Sequence, residues 1–250
     1  MNIYLARHGT TEWNSVRRIQ GRTDIELDET GIEMARQTGQ CLFDLGIRFD
    51  HVFSSPLKRA YKTAELLSHP LAVSGNCKAP AIQTDKRLTE LCFGDFEGRN
   101  VEEMLADPEC AFRYFKADPK RYNDEIIELR HVTGYSENIS ENPLPETLTE
   151  LFLRSSEFIR EIIEPLVLSC DNSHTNILIS GHGAVNKALL MYFNRSDDLN
   201  HFWGEGLQPN CGINKITCTC NDSGEIIYEV QDKCLVLYDS NLEKSLKKLL

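Results

Sequence analysis

Leu5-Ala6-Arg7-His8-Gly9-Thr10-Thr11-Glu12-Trp13-Asn14 is the stretch from which the fold is read. It continues the short apolar run Ile3-Tyr4-Leu5-Ala6, which reads as a strand buried on both faces, as in a parallel sheet. At Arg7 the chain turns polar, and Gly9 follows two residues later. An arginine and a histidine therefore lie at the carboxyl end of a strand, where open α/β sheets bind their ligands. Taken alone, this arrangement implies only an anion site.

A second strand end repeats the pattern. Asn176-Ile177-Leu178-Ile179-Ser180 is another continuous apolar run, and it leads into Gly181-His182-Gly183. A helix is predicted immediately afterwards, from Ala184 to about Phe193. Glycine lets backbone N–H groups approach a ligand closely, and a helix N-terminus favours anions. A third cationic group comes from Ser54-Ser55-Pro56-Leu57-Lys58-Arg59-Ala60. Here His51 to Ser54 reads as a strand. Ser55 is the expected N-cap and Pro56 the expected first helical residue. The helix runs to about Leu67, with Arg59 in its first turn. Arg7, Arg59, His8 and His182 together form the donor set that a phosphate dianion or a pentacoordinate phosphoryl transition state needs.

The remaining elements alternate between strand and helix, which implies an α/β fold. A polar loop over 15–29 carries Arg17, Arg18, Gln20, Gly21 and Arg22, and its length suggests a functional segment. Those arginines are read as either a solvated face or substrate contacts. A helix follows over about 30–45, and Ala81 to Thr84 forms a short strand. Residues 87–98 mix apolar and acidic side chains between glycines and are not expected to be regular. Asn100 with Glu103, and Thr147 with Glu150, are capping-box pairs that open helices. The second of these runs to about Leu168, with Pro165 weakening its last turn. Between Pro108 and Pro145 the pattern is poor, and aromatic residues alternate with basic ones. This segment is read as an inserted, partly helical cap or lid, its aromatic mixture belonging to the fold. Gly212 to Thr219 and Glu225 to Val230 are strands joined by the Asn221-Asp222-Ser223-Gly224 turn. Cys234 to Tyr238 is a further edge strand, and Asn241 caps a short basic helix. No linker marks a boundary, so one domain over 1–250 is expected.

Bulk properties narrow the functional classes. The chain has 250 residues, 41% hydrophobic and 26% charged, which is ordinary for a globular domain. The net charge of −11 disfavours nucleic acid and anionic membrane as partners. It does not disfavour a small anionic substrate, because the field in a cleft is set by nearby groups. No apolar run is long enough to span a membrane and no signal peptide is visible, so a cytoplasmic protein is expected. Nine scattered cysteines without a CxxC pair read as free thiols rather than a zinc site.

Five segments in order resemble the histidine phosphatase superfamily, the clan of cofactor-dependent phosphoglycerate mutases and related phosphatases. They are Arg7-His8-Gly9-(x)4-Asn14; Gln20-Gly21-Arg22 with Asp28-Glu29-Thr30-Gly31; Ser54 to Ala60; Leu88-Thr89-Glu90 with Phe93 to Gly98; and Ser180 to Gly183. The likeness covers both ends of the chain and fails over 108–145. It implies a three-layer α/β/α sandwich around a mostly parallel sheet. It also implies roles: His8 as the nucleophile that becomes phosphohistidine, Arg7, Arg59 and His182 as phosphate-pocket residues, and Asn14 as a further donor. Gln20, Gly21 and Gly183 fall in the phosphate-binding segments. Glu90 resembles the general acid, with Asp95 and Glu97 as nearby alternatives.

Chemistry supports these assignments. Phosphate monoesters react so slowly unaided that enzymes supply up to about 10²¹-fold acceleration, and a covalent imidazole intermediate divides the barrier. The attacking nitrogen of His8 must be unprotonated, so its other nitrogen should donate to a backbone carbonyl. Glu90 must start protonated, which calls for burial or nearby phosphate charge. No metal or other cofactor is implied, since arginines supply the positive charge.

The resemblance has departures. The family's Gly-Glu-Ser/Thr stretch is here Pro145-Glu146-Thr147. The paired arginines with which mutases hold phosphoglycerate are not recognisable, Lys120-Arg121 coming nearest. The expectation is therefore a phosphomonoester hydrolase acting on a small phosphorylated metabolite. The alternatives are a phosphoglycerate mutase or a silent phospho-ligand binding module. Substrate and oligomeric state stay open.

Overall fold

The computed structural model describes residues 1–69, 80–132, 143–169 and 174–239. Six strands form one sheet in the order β3-β2-β4-β1-β5-β6. The strands are β1 (Asn2–Arg7), β2 (His51–Ser54), β3 (Ile82–Thr84), β4 (Asn176–Gly181), β5 (Ile213–Cys220) and β6 (Ile226–Leu235). β3, β2, β4 and β1 run parallel, and the β5–β6 hairpin adds antiparallel to β1.

The alternation of side chains along the strands produces the layers. In β1, Ile3 and Leu5 join one apolar cluster with Ile177 and Ile179 of β4, while Tyr4 and Ala6 join another with Leu178. α2 (Glu29–Asp44) and α3 (Lys58–Ser68) cover the second face through Met34, Ala35, Leu42, Ala64 and Leu67. The first face receives α7 (Leu148–Phe158), α8 (Glu164–Leu168) and α9 (Gly183–Phe193), through Phe158, Val167, Leu189 and Phe193. The chain is thus a three-layer α/β/α sandwich whose sheet is mostly parallel, as the two apolar strand runs imply. α1 (Glu12–Ser15) is a single turn after β1.

The described part of the insert is helical and packed. It holds α5 (Tyr114–Ala117) and α6 (Pro119–Val132), preceded by α4 (Val101–Ala106). Phe112, Phe115, Tyr122 and Ile126 are buried in a third cluster with Phe93, Leu148, Val185 and Trp203. Phe115 lies edge-on to Phe93, Tyr122 and Trp203, and its carbonyl accepts the Trp203 indole N–H at 2.6 Å. The aromatic residues of this stretch therefore serve packing. The remainder, 133–142, lies outside the described residues.

Several local expectations change. α3 begins at Lys58 and Leu57 is its N-cap, without a side-chain cap. Ser55 is not the cap; Asp24 accepts the Lys58 N–H at 2.8 Å from the long loop. Asn100 caps α4 through its own side chain, with no reciprocal bond from Glu103, whereas Thr147 and Glu150 do form a full capping box. The predicted helix to Leu168 is broken by a π turn at Ile159–Ile163. Pro165 has no N–H and its ring crowds the carbonyl four residues back, which a widened turn relieves. Cys234 to Tyr238 is not a separate strand: Cys234 and Leu235 end β6, which continues past Val230 after register shifts. The expected helix after Asn241 lies outside the described residues. The described cysteines are free thiols.

Candidate active site

β1 and β4 are paired in register, with Arg7 opposite Gly181. Their carboxyl ends therefore deliver His8 and His182 side by side, ring centroids 5.2 Å apart. The His8 N–H donates to Gly181 O across the strand ends. Both imidazoles are buried, at 3% and 0% exposure.

The hydrogen bonds define the state of His8. Its Nδ1 lies 2.6 Å from Gly9 O. A carbonyl only accepts, so Nδ1 carries the proton and Nε2 presents its lone pair, as a nucleophile requires. Burial, then the fields of Arg59 and Arg7, hold the imidazole well below its ordinary pKa range, against the opposing effect of the Gly9 bond. His182 is lowered in the same way, by burial first and then by Arg59, His8 and Arg7. Its Nε2 is 2.8 Å from Ser55 Oγ, whose oxygen already accepts the Leu57 N–H. When the Ser55 hydroxyl donates its hydrogen to Nε2, the ring proton sits on Nδ1. That Nδ1 is buried without a partner among the described residues.

The arginines are arranged likewise. Arg59 is fully buried and donates Nη1 to Thr23 O (2.8 Å) and Nη2 to Gly21 O (2.7 Å). Arg7 donates Nη1 to Gln208 O at 2.6 Å. The Nε of each is buried and unpartnered among the described residues. Neither guanidinium belongs to any described ion pair. Burial lowers Arg59 to about 10, so it stays charged at neutral pH. Buried, unpaired cations with orphaned donors cost several kcal/mol each unless an anion completes them.

Glu90 sits beside this group. Its carboxylate accepts the N–H groups of Leu91, Ala184 and Val185. The sequence left the N-terminus of α9 to a bound anion, but in this state Glu90 occupies the Ala184 and Val185 donors. Gly183 is wedged between the charges: a Cβ there would stand 3.5 Å from Glu90 Oε2, 3.8 Å from Arg7 Nε and 2.8 Å from Leu207 Cδ1. Glu97, a sequence alternative for the acid, is engaged elsewhere. It accepts from Arg22 N, Thr23 N, Thr23 Oγ1 and Phe93 N, and so ties down the loop whose carbonyls seat Arg59.

The other predicted residues take distinct places. Asn14 Oδ1 accepts Thr11 N and Thr11 Oγ1 at 3.1 Å each, closing the α1 turn and leaving Nδ2 as its donor. Gln20 is buried with Oε1 unpartnered; a flip of the amide presents N–H₂ at that position. Gly21 acts through its carbonyl on Arg59. Arg17 pairs with Glu102, Arg18 donates to Gly98 O, and Arg22 pairs with Glu146. Arg121 lies over the Tyr114 ring at 3.8 Å and pairs with Glu125. Lys116 of the insert is exposed, yet partial desolvation and then the fields of Arg7 and Arg17 lower its ammonium below the ordinary range.

Sequence reasoning missed a supporting layer. Asn210 Nδ2 donates to His8 O and Gly9 O. Gln208 Nε2 donates to Leu5 O and Gly212 O, and Thr63 Oγ1 accepts the Gly9 N–H. Ser55 was visible but given a capping role. Gln208 and Asn210 carry no local signal, because Leu5 O and His8 O, which they hold, are about two hundred residues away in sequence. Among the described residues, no cluster of His, Cys, Asp and Glu could hold a metal ion, and no helix is long and apolar enough to cross a membrane.

Comparison with known proteins agrees with the fold. The family model for the histidine phosphatase superfamily (branch 1) matches residues 3–228. The chain is 31% identical over 205 residues to the 2,3-bisphosphoglycerate-dependent phosphoglycerate mutase of Treponema denticola, covering 79% of this chain and 80% of that protein. It is also 31% identical over 195 residues to the uncharacterized phosphatase PhoE of Bacillus subtilis, covering 78% of each. Among solved structures, mycobacterial hydrolase 1 superimposes with a TM-score of 0.73 at 21% identity, over 94% of this chain and 99% of that one.

Proposed function

Because the chain belongs to the histidine phosphatase superfamily, we propose that it hydrolyses a small phosphomonoester through a phosphohistidine formed on His8. One observation carries this reading: two buried guanidiniums without ion pairs face a histidine whose Nδ1 is tied to Gly9 O. In the proposed cycle the substrate phosphoryl group takes the free donors of Arg7, Arg59 and His182 Nδ1. Asn14 Nδ2, Gln20 and the Gly183 backbone extend that cradle. His8 Nε2 attacks phosphorus while Glu90 gives its proton to the leaving oxygen. Glu90 then takes a proton from water, which attacks the phosphohistidine and releases phosphate. The arginine donors stabilise charge that develops on the equatorial oxygens, the term that usually contributes most in such sites.

Equal identity to a mutase and to a phosphatase leaves the acceptor undecided by name alone. Hydrolysis is supported by the insert. Lys120 is exposed, and Arg121 is engaged with Tyr114 and Glu125. Neither of these two residues is then placed as a second anion clamp, and water is the acceptor that needs none. The test is a turnover screen over sugar phosphates, nucleotides and phosphorylated acids with wild type and His8→Ala. Release of inorganic phosphate that disappears in the variant is the expected result. Interconversion of 2- and 3-phosphoglycerate without phosphate release would replace hydrolase by mutase. Full hydrolysis by His8→Ala would refute the phosphohistidine route.

A further inference from the structure

Glu90 lies on no helix or strand. It stands in irregular backbone between the short turns Lys86–Leu88 and Gly94–Phe96. A general acid must nevertheless be placed to a fraction of an ångström, since about 1 Å of misplacement can cost 10²-fold. The groups that fix this loop come from α7 and the residue before its cap. Arg154 Nη1 donates to Arg87 O at 2.7 Å, and Arg154 Nη2 to Glu90 O at 3.0 Å. The guanidinium is itself held by Glu146, Nε to Oε1 at 2.6 Å and Nη2 to Oε2 at 2.9 Å. Glu146 is 8% exposed and also grips the loop beyond Glu90. Its N–H donates to Cys92 O at 2.7 Å, and its Oε2 accepts Cys92 N at 3.3 Å. Arg22 reaches the same two points, Nη2 to Glu146 Oε2 at 3.2 Å and Nε to Glu90 O at 3.5 Å.

We propose that Glu146 and Arg154 form a clamp that positions Glu90 for proton transfer to the leaving group, an inference that rests on Glu90 being the general acid. The clamp spans both sides of Glu90, from Arg87 to Cys92, and does so with charge-assisted hydrogen bonds, the strong kind. In this proposal Arg154 is a positioning residue, acting through Glu90. Four of its five N–H donors are given to protein oxygens, which fixes the guanidinium on the Glu90 loop. A planar fork is needed to reach two carbonyls and a carboxylate at once, so lysine cannot replace it.

The leaving group separates positioning from simple bracing. An alkoxide must be protonated as it departs, whereas a nitrophenolate departs unaided. Glu90→Gln, Arg154→Lys and Glu146→Gln are to be assayed for kcat/KM, which reports the steps through phosphohistidine formation and leaves out the hydrolysis step common to both esters, on a primary alkyl phosphate and on p-nitrophenyl phosphate. Circular dichroism confirms the fold of each variant, and Arg154→Lys carries the comparison if Glu146→Gln fails to fold. The expected result is that Glu90→Gln loses about 10²–10⁴-fold on the alkyl ester and far less on the aryl ester. The clamp variants should show the same selectivity, with about 10- to 10²-fold on the alkyl ester. Equal losses on both esters in the clamp variants, with Glu90→Gln selective, overturn the clamp alone. An unselective Glu90→Gln overturns the role of Glu90 and the clamp with it. A wild type inactive on both esters overturns the hydrolase reading.

Discussion

At the scale of single residues, the account rests on which nitrogen carries which proton. His8 is set by a backbone carbonyl that cannot change character, Gly9 O at 2.6 Å. His182 depends on a hydroxyl that rotates, Ser55 Oγ at 2.8 Å. The second arrangement is softer, and it yields a test. Ser55→Ala removes one hydrogen bond to a buried ring and leaves His182 free to exchange tautomers. A loss of about 1.4 kcal/mol, roughly tenfold in kcat, is expected, with a changed His182 tautomer in nitrogen NMR. An unchanged tautomer would mean that Ser55 does not set it. Much at this scale was legible in the sequence. Arg7, His8, Arg59 and His182 stand next to strand ends or a helix start, and those are local patterns. Ser55 was misread because serine before proline signals a cap so strongly. Arg154 was missed because nothing in mid-helix marks an arginine that reaches the carbonyls of Arg87 and Glu90.

At the scale of elements, the long loop between β1 and α2 is bonded to the residues of the candidate site rather than being a plain connection. Its Gly21 and Thr23 carbonyls hold Arg59, its Asp24 caps α3, and Glu97 holds the loop in turn. Gly21 has φ of +53°, and a Cβ there would collide with the Glu97 carboxylate. Gly21→Ala should therefore cost about 1–3 kcal/mol through backbone strain and displaced carboxylate. It should also weaken binding of inorganic phosphate, because the acceptors of Arg59 move. A thermal melt and a phosphate titration measure the two effects; a stable variant with unchanged phosphate affinity would show that the loop does not seat Arg59. Its length singled this loop out in the sequence as more than a connection, yet nothing local pointed to Glu97 as its anchor. Glu97 had seemed a candidate acid because charge and proximity along the chain were all that could be seen. The π turn at Ile159–Ile163 was equally hidden: Pro165 announces a disturbance but not its form.

At the scale of the molecule, the parallel β1–β4 pair brings two histidines about 170 residues apart in sequence into one buried site, and that burial has a thermodynamic consequence. His8 and His182 have folded-state pKa values well below the 6.5 of an ordinary imidazole. As pH falls below about 6.5, the unfolded chain takes up protons that the folded chain does not, so unfolding is favoured. Stability from this source is complete above pH 6.5 and is lost progressively toward the depressed native values. Melting temperature should decline between about pH 6.5 and 5, before most carboxylates titrate, and replacing both histidines by glutamine should flatten that decline. An unaltered slope in the double variant would place the acid sensitivity elsewhere. The same geometry makes a sharper demand on the chemistry. If the Gly9 carbonyl holds Nδ1, phosphate can be accepted only at Nε2. The enzyme should be quenched in alkali during turnover of a phosphomonoester and the phosphohistidine isomer identified by phosphorus NMR of the peptide bearing His8. The account predicts phosphate on Nε2 of His8; phosphate on Nδ1, or on another residue, would contradict it.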